Sequence, residues 1–435
     1  MPTVAICTAT ALLKRRLGRR VRADRAANFS ADTMLHPDTA ALTVLLATLT
    51  GIGPLSVDMY LASLPDIGRR LAASEAEVQL SLSFYLLGFA VGQVIYGPIS
   101  DRYGRRPILL AALAVFTVSS AVCASAPSIG ALNGARFCQA LGGAGAVVLA
   151  RAVVRDLYEG VAVARELSRM ATVMALAPLV APLIGGALQT YFGWRANFVV
   201  LAAFGVVAAM LVWLLLPESL RRQAEAASIA SNLRAFPTFL ADRMFLSHAG
   251  ILVCAFGGLF AWISGAAFVL QDLYGLTAME FGIAFAVGSA GYLAGTWVAM
   301  RQVARLGLDR TLGRGALLLA GGGVASMLAP MLGLNEAAAV LLVTAIAVFL
   351  AGLGLTLPQA QAGALMPFPQ RAGTASSLVG ALQQTSGAVV GAIVGHLLGQ
   401  SAWPLAAAVA LMGSLSLALW VLTRKARAES VEVPH

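Results

Sequence analysis

Twelve apolar stretches, each about 20 residues long, punctuate this chain and decide what it can fold into. A run of about 20 apolar residues crosses the roughly 30 Å hydrocarbon core of a bilayer as a helix. Inside lipid every backbone amide must find a partner within its own segment, which leaves the helix as the only form such a run can take. The stretches lie at about 40–64, 77–99, 107–126, 129–150, 167–190, 196–216, 245–270, 280–300, 313–333, 336–357, 373–398 and 402–422. Composition agrees: 59% of the 435 residues are hydrophobic and only 11% charged, against about 25% charged in a soluble domain. So little charge could not cover a soluble surface. The 44 glycines suit close helix packing in lipid.

A net charge of +10 suggests nucleic acid in a soluble chain. Here the basic residues fall in short gaps between alternate apolar runs. Of the 30 Lys and Arg, all but Arg69, Arg70, Arg136 and Arg195 fall on one side once the segments are threaded back and forth. By the positive-inside rule that side is the cytoplasm and holds both termini. A basic cluster, Lys14 to Arg25, is followed by polar sequence rather than by the apolar core of a signal peptide. It reads either as a cytoplasmic tail held near anionic lipids or as untranslated sequence ahead of a start at Met34.

The expected organisation is a basic tail (1–38), a six-helix half (39–216), a cytoplasmic linker (217–243), a second six-helix half (244–423) and a short tail (424–435). The halves echo each other. DRYGRRPILL follows the second span and ARLGLDRTLG the eighth, with Arg305 and Gly307 in the places of Arg102 and Gly104 and Ala304 in that of Asp101. Two parallel halves with a substrate path between them is a transporter plan.

Energy sources can be sorted from what the chain lacks. A phosphate-binding loop needs Gly-Lys-Ser/Thr, and the only lysines, Lys14 and Lys425, sit in no such context. No HExxH or paired-cysteine spacing holds a metal. Cys7, Cys123, Cys138 and Cys254 read as buried thiols. ATP, cofactors and metals are not expected, and neither is enzyme chemistry. A gradient remains. A proton moving inward gains about 2.3 kcal/mol per 100 mV and about 1.4 kcal/mol per pH unit.

Three local patterns are specific. GPISDRYGRRPIL (97–109) packs Asp101, Arg102, Arg105 and Arg106 into a tight turn between Gly97 and the apolar run that follows. Gly97 is expected to admit a neighbouring helix and Gly104 to permit the turn. Asp101 is expected to accept bonds from Arg105 or from helix N-terminal amides across the interface between halves. LNGARFCQALGGAGA (132–146) places Arg136 inside a span, and APLVAPLIGG (177–186) concentrates Pro178, Pro182, Gly185 and Gly186.

These segments resemble the signature loop, the intramembrane-arginine motif and the antiporter motif of the major facilitator superfamily, the last with Ala177 and Ala181 where glycines are usual. SVDMYLASLPDI (56–67), QLSLSFYLLGFAVGQVIYGPISDRYGRRP (79–107), ARAVVRDLY (150–158), FGWRANF (192–198), FVLQDLYGL (268–276) and GTASSLVGALQQTSGAVVGAIVG (373–395) extend the resemblance to the bicyclomycin/chloramphenicol-resistance (Bcr/CflA) subfamily of drug:proton antiporters. The resemblance implies an all-α, twelve-helix fold of two halves. It also implies alternating access, a cytoplasmic gate at the 97–106 loop, and export of drug-like molecules in exchange for protons from a bacterial inner membrane. A monomer is expected. Rival readings are an exporter of a natural metabolite such as an amino acid, and a membrane sensor without transport.

Intramembrane charges are expensive and mark function by default. Asp58 lies about six residues from the outer end of the first span and Arg136 about seven residues into the fourth. At about 1.5 Å per residue both sit roughly 9–10 Å deep. Burial favours a neutral carboxyl and a neighbouring guanidinium favours an ionised one, so the pair is the candidate for proton and substrate coupling. Tyr60, Tyr85, Gln93, Gln139, Trp262 and Gln383 are candidates for lining the cavity.

Overall fold

The computed structural model describes residues 39–158, 161–220, 229–399 and 401–428. The Lys14–Arg25 cluster, Met34, Cys7 and residues 429–435 lie outside the described residues. All regular structure among the described residues is helical.

The first span begins at α1 (Ala40–Asp58), capped by Thr39 and carrying Pro54. It ends at Asp58 in a 3-10 turn (Leu61–Ser63) and resumes as a short α2 (Leu64–Leu71) with Pro65 in its first turn. There follow α3 (Glu75–Tyr103), α4 (Arg105–Ser125), α5 (Ile129–Leu157), α6 (Val161–Phe192) and α7 (Arg195–Leu215). After the linker come α8 (Ile229–Ala241), α9 (Arg243–Ala267) with a π-helical end (Phe268–Leu273), α10 (Ala278–Leu306) and α11 (Leu308–Ser326). The chain closes with α12 (Glu336–Leu365), α13 (Ala372–Leu397), α14 (Trp403–Leu422) and α15 (Arg424–Ala428). Among the described residues eleven helices are long and apolar enough to cross a membrane, and Leu176–Phe192 of α6 is a shorter one. This is the twelve-helix, two-half architecture.

Internal duplication is visible in detail. α3 and α10 each start in a capping box, Ser74 with Glu77 and Thr277 with Glu280, which satisfies two N-terminal amides reciprocally. Each carries a Gly-x-x-x-Gly pair against the neighbour two spans on: Gly88 and Gly92 against α5, Gly291 and Gly295 against α12. A methyl at Gly92 would stand 2.6 Å from the Ala144 Cβ. Small residues there let backbones approach, the main source of helix association in lipid. Each helix ends at a glycine of positive φ, Gly104 at +96° and Gly307 at +77°, a conformation that L side chains resist.

Four spans run one to two turns longer than their apolar runs: α3 to Tyr103, α5 to Leu157, α10 to Leu306 and α12 to Leu365. Polar turns continue a helix once lipid has nucleated it. The linker is also more than a polar gap. α8 buries Phe239 completely, with ring centroids 4.7 Å from Phe368 and 6.0 Å from Phe245. Among the described cysteines only Cys123 is buried; Cys254 is half-buried and Cys138 is exposed, because it falls on the outward stripe of α5.

The face of the bundle that carries the α3–α4 turn holds most of the arginines and is called the basic face below. Toward the opposite, far face the halves are drawn together along two seams, α3 against α13 and α6 against α10. Ser83 donates to the Ala388 carbonyl at 2.9 Å. Gln271 Nε2 donates to the Ala62 carbonyl at 3.1 Å, and Arg69 meets Asp272 at 3.3 Å. Glycines bring backbone to backbone at this closure. A Cβ on Gly186 would lie 2.6 Å from the Ala278 carbonyl oxygen, and one on Gly282 2.7 Å from that of Pro182.

Candidate functional site

Arg136 stands on α5 with no exposure at all. A buried guanidinium needs acceptors or π faces to replace water. Its Nη1 donates to the Ser56 carbonyl at 3.0 Å and to Gln139 Oε1 at 2.5 Å. The Ser56 carbonyl is free because α1 ends at Asp58, leaving its last carbonyls without amide partners, and the negative end of that helix favours a cation. Gln139 is held in turn by donating to Ser120 Oγ at 2.8 Å. The guanidinium carbon lies 4.2 Å from the ring centroids of both Tyr60 and Tyr85, and 5.8 Å from Phe198. Tyr60 OH is hydrogen-bonded to Ser81 Oγ at 3.0 Å. Arg136 Nε and Nη2 have no partner among the described residues.

Asp58 is also buried, at 4% exposure. It makes no hydrogen bond or ion pair among the described residues. The structure therefore brings Arg136, Gln139, Tyr60 and Tyr85 together, and places Asp58 at the end of the same helix that supplies the Ser56 carbonyl. It does not join Asp58 and Arg136 in an ion pair. Tyr60 and Tyr85 wall the arginine rather than an open cavity, as their full burial requires. Trp262 is likewise fully buried, stacked on Phe285 with centroids 6.1 Å apart and its indole N–H without a partner among the described residues. Gln93 and Gln383 are half-buried, and Gln93 Oε1 has no partner among the described residues.

The loop on the basic face forms a second cluster. Arg105, 8% exposed, meets Asp101 at 2.5 Å and Asp156 at 2.8 Å, and donates to Ser100 Oγ at 2.5 Å. Glu218 accepts from the backbone N–H of Arg105 at 2.8 Å and of Arg106 at 3.1 Å, the first-turn amides of α4 that lack intrahelical partners. Arg106 reaches the Trp213 carbonyl, and Arg102 lies exposed over the Tyr103 ring. Gly104 is required twice over, since a Cβ there would also stand 2.7 Å from Glu218. Of the two partners expected for Asp101, it takes Arg105, within its own half. One expectation is corrected. Gly97 admits no close neighbour, since a Cβ there would have nothing within 4 Å. Asp156 and Glu218 were not among the expected site residues. The ARAVVRDLY segment and the acid just after the sixth span were the available signals.

The proline and glycine motif lies on a three-way seam. Pro178 is half-buried and Pro182 buried. Gly185 presses on the Met59 backbone of the first span, and Gly186 meets Ala278 of α10 in the other half. Ala181, in a usual glycine place, is fully buried, so alanine packs there without a gap.

Comparison with known proteins decides the family. The profile of the Major Facilitator Superfamily matches residues 46–392. The chain belongs to the major facilitator superfamily. It is 35% identical over 372 residues to the uncharacterized MFS-type transporter YdgK of Bacillus subtilis (strain 168), covering 83% of this chain and 91% of that one. It is 31% identical to the bicyclomycin resistance protein homolog of Haemophilus influenzae, covering 84% and 92%. It is 30% identical to multidrug resistance protein D of Escherichia coli (strain K12), covering 87% and 95%. The fold is that of the crystal structure of a D-xylose–proton symporter, with a TM-score of 0.68 at 17% identity over 88% of this chain and 98% of that one. The chain is a multi-pass membrane transporter and not an enzyme.

Proposed function

We propose that this transporter exports drug-like small molecules of the bicyclomycin and chloramphenicol type, driven by protons moving the other way through alternating access. The basic face is the cytoplasmic face of a bacterial inner membrane, both termini lie there, and one chain suffices. Residues 39–216 and 244–423 act as the two moving halves, joined by the 217–243 linker. The resistance names of two relatives support the substrate class, and the arginine asymmetry supports the orientation.

The observation that carries the coupling is the unpaired state of Asp58 and Arg136. A dry carboxylate without a counter-charge is costly, and Arg136, which bonds the Ser56 carbonyl two residues before Asp58, keeps two donors idle among the described residues. In this reading Asp58 carries the proton in the state closed at the far face, while Arg136 rests between its two tyrosines. When Asp58 loses the proton, its charge draws the idle Nε and Nη2 donors. The first span and α5 then shift, and the tyrosine cage and the far-face seam loosen together. Arg136 stays charged throughout. Pro182, Gly185 and Gly186 let α6 follow at the seam, while the Asp101–Arg105 cluster is the gate on the cytoplasmic side.

Chloramphenicol transport in proteoliposomes under an imposed pH gradient tests this. Asp58→Asn should abolish uphill transport and leave binding and downhill exchange. Uphill pumping by Asp58→Asn at the parent's rate across the pH range would place the coupling proton elsewhere.

A further inference from the structure

Two arginines of α5 take no part in the site or the gate. Arg151 and Arg155 are one turn apart, so they share a face, and both are solvent-exposed. Arg151 lies six residues inside the α5 end at Leu157, about 9 Å at the helical rise, and protein walls it although water reaches it. Arg155 Nη1 comes within 3.9 Å of a Cβ position on Gly373 at the start of α13. The pair therefore looks across the opening between the halves rather than into lipid.

Every described acid near that face already has a partner, although Glu166 Oε1 has none of its own among the described residues. Asp101 and Asp156 hold Arg105, Glu166 pairs with Arg169, and Asp309 with Arg427. Glu218 bonds the α4 amides, and Asp242 caps α9. Neither Arg151 nor Arg155 has an ion pair or hydrogen bond among the described residues. Like charges one turn apart repel, and orientation does not require them, since loop arginines already supply that signal. Buried Gln93 Oε1, which packs against Gly380 of α13, and Gln384 Oε1 also lack partners among the described residues.

We infer that Arg151 and Arg155 form an acid-recognising subsite at the mouth of the substrate path, selecting amphipathic molecules whose polar end is a carboxylate or similar anion and repelling cationic ones. This rests on the export reading and adds to its neutral drugs a preferred class of anionic amphiphiles. The guanidinium fork matches a carboxylate bidentately, and the focused positive field raises the local concentration of anions.

The test uses the full chain in nanodiscs of zwitterionic phosphatidylcholine. Three dansyl-alkyl probes on one scaffold end in a carboxylate, a primary amide or an ammonium group, and binding is followed by fluorescence. The parent should prefer the carboxylate. The double change Arg151→Gln/Arg155→Gln should weaken carboxylate binding at least about tenfold, the scale of a charge-assisted hydrogen bond, and leave the amide unchanged. Arg151→Lys/Arg155→Lys should keep the preference for charge, which separates recognition from folding. Equal binding of all three probes by the parent would overturn the subsite and spare the export reading; binding of none would overturn both. An equal loss for all probes in the Gln variant would overturn the subsite. So would loss of carboxylate binding by the parent on adding phosphatidylglycerol, because lipid headgroups would then be the true occupants.

Discussion

Arg427 donates through Nε to Asp309 at 2.6 Å, and the pair stands, with its charges reversed, where Glu218 bonds the start of α4 in the other half. In both halves the chain just beyond the sixth span returns to the turn before the third and ties it down. Arg427 also donates to Ser247, Thr423 and the Trp420 carbonyl, so one side chain links the end of the sixth span, α9 and the start of α11. Arg427→Ala should lower the unfolding midpoint in detergent more than Asp309→Asn does, by about 2–3 kcal/mol of stability against about 1, since Asp309 is half exposed and screened.

At the proposed gate, the geometry of the Arg105 cluster ranks the substitutions. Arg105 has two carboxylate partners, so each can cover in part for loss of the other. Arg105→Ala should reduce initial transport rates most. Asp101→Asn and Asp156→Asn should each do less, their combination should approach Arg105→Ala, and Arg102→Ala should be mild. Rates at equal membrane abundance would read this ranking, and a severe Arg102→Ala would contradict it.

Arg136 fills a planar slot between two rings. Arg136→Lys keeps the charge but has no plane to stack and cannot reproduce the fork. It should lose transport by about tenfold or more, a cost on the scale of 1.4 kcal/mol. Substrate transport under a fixed gradient measures this, and parental rates would show that charge alone suffices.

A methyl on Gly186 or Gly282 would press into a carbonyl of the opposite half. Gly186→Ala and Gly282→Ala should therefore disfavour the state closed at the far face. A cysteine at position 83, buried in this closure, would then react faster with a membrane-impermeant thiol reagent in a background without the native cysteines. Unchanged labelling would mean that the seam yields elsewhere.

The spans, the turn at Gly104 and the shared level of Arg136 and the end of α1 were legible in the sequence because each rests on a count of residues along one helix. What was not legible depends on rotation about the helix axis and on contacts distant in sequence. Matching depth put Asp58 and Arg136 at one level, yet Arg136 points to Tyr60 and Tyr85 and leaves Asp58 unpaired. Gly97 sits in a true signature but faces open space. α8 escaped notice because Phe239 is one ring in a short helix, and its value lies in docking on Phe245 and Phe368. Glu218 gains its role only when the end of α7 folds back on the start of α4.

The far-face seam has a consequence for the energy economy of the host. Carbonyls and glycines meet there directly, with Ser83, Gln271 and Arg69 as sparse polar stitches. Backbone pressed on backbone leaves little room for a file of waters along which protons could hop. A membrane transporter must not short-circuit the host's proton gradient while it idles, and a seal of this kind lets many copies sit in the membrane without leak.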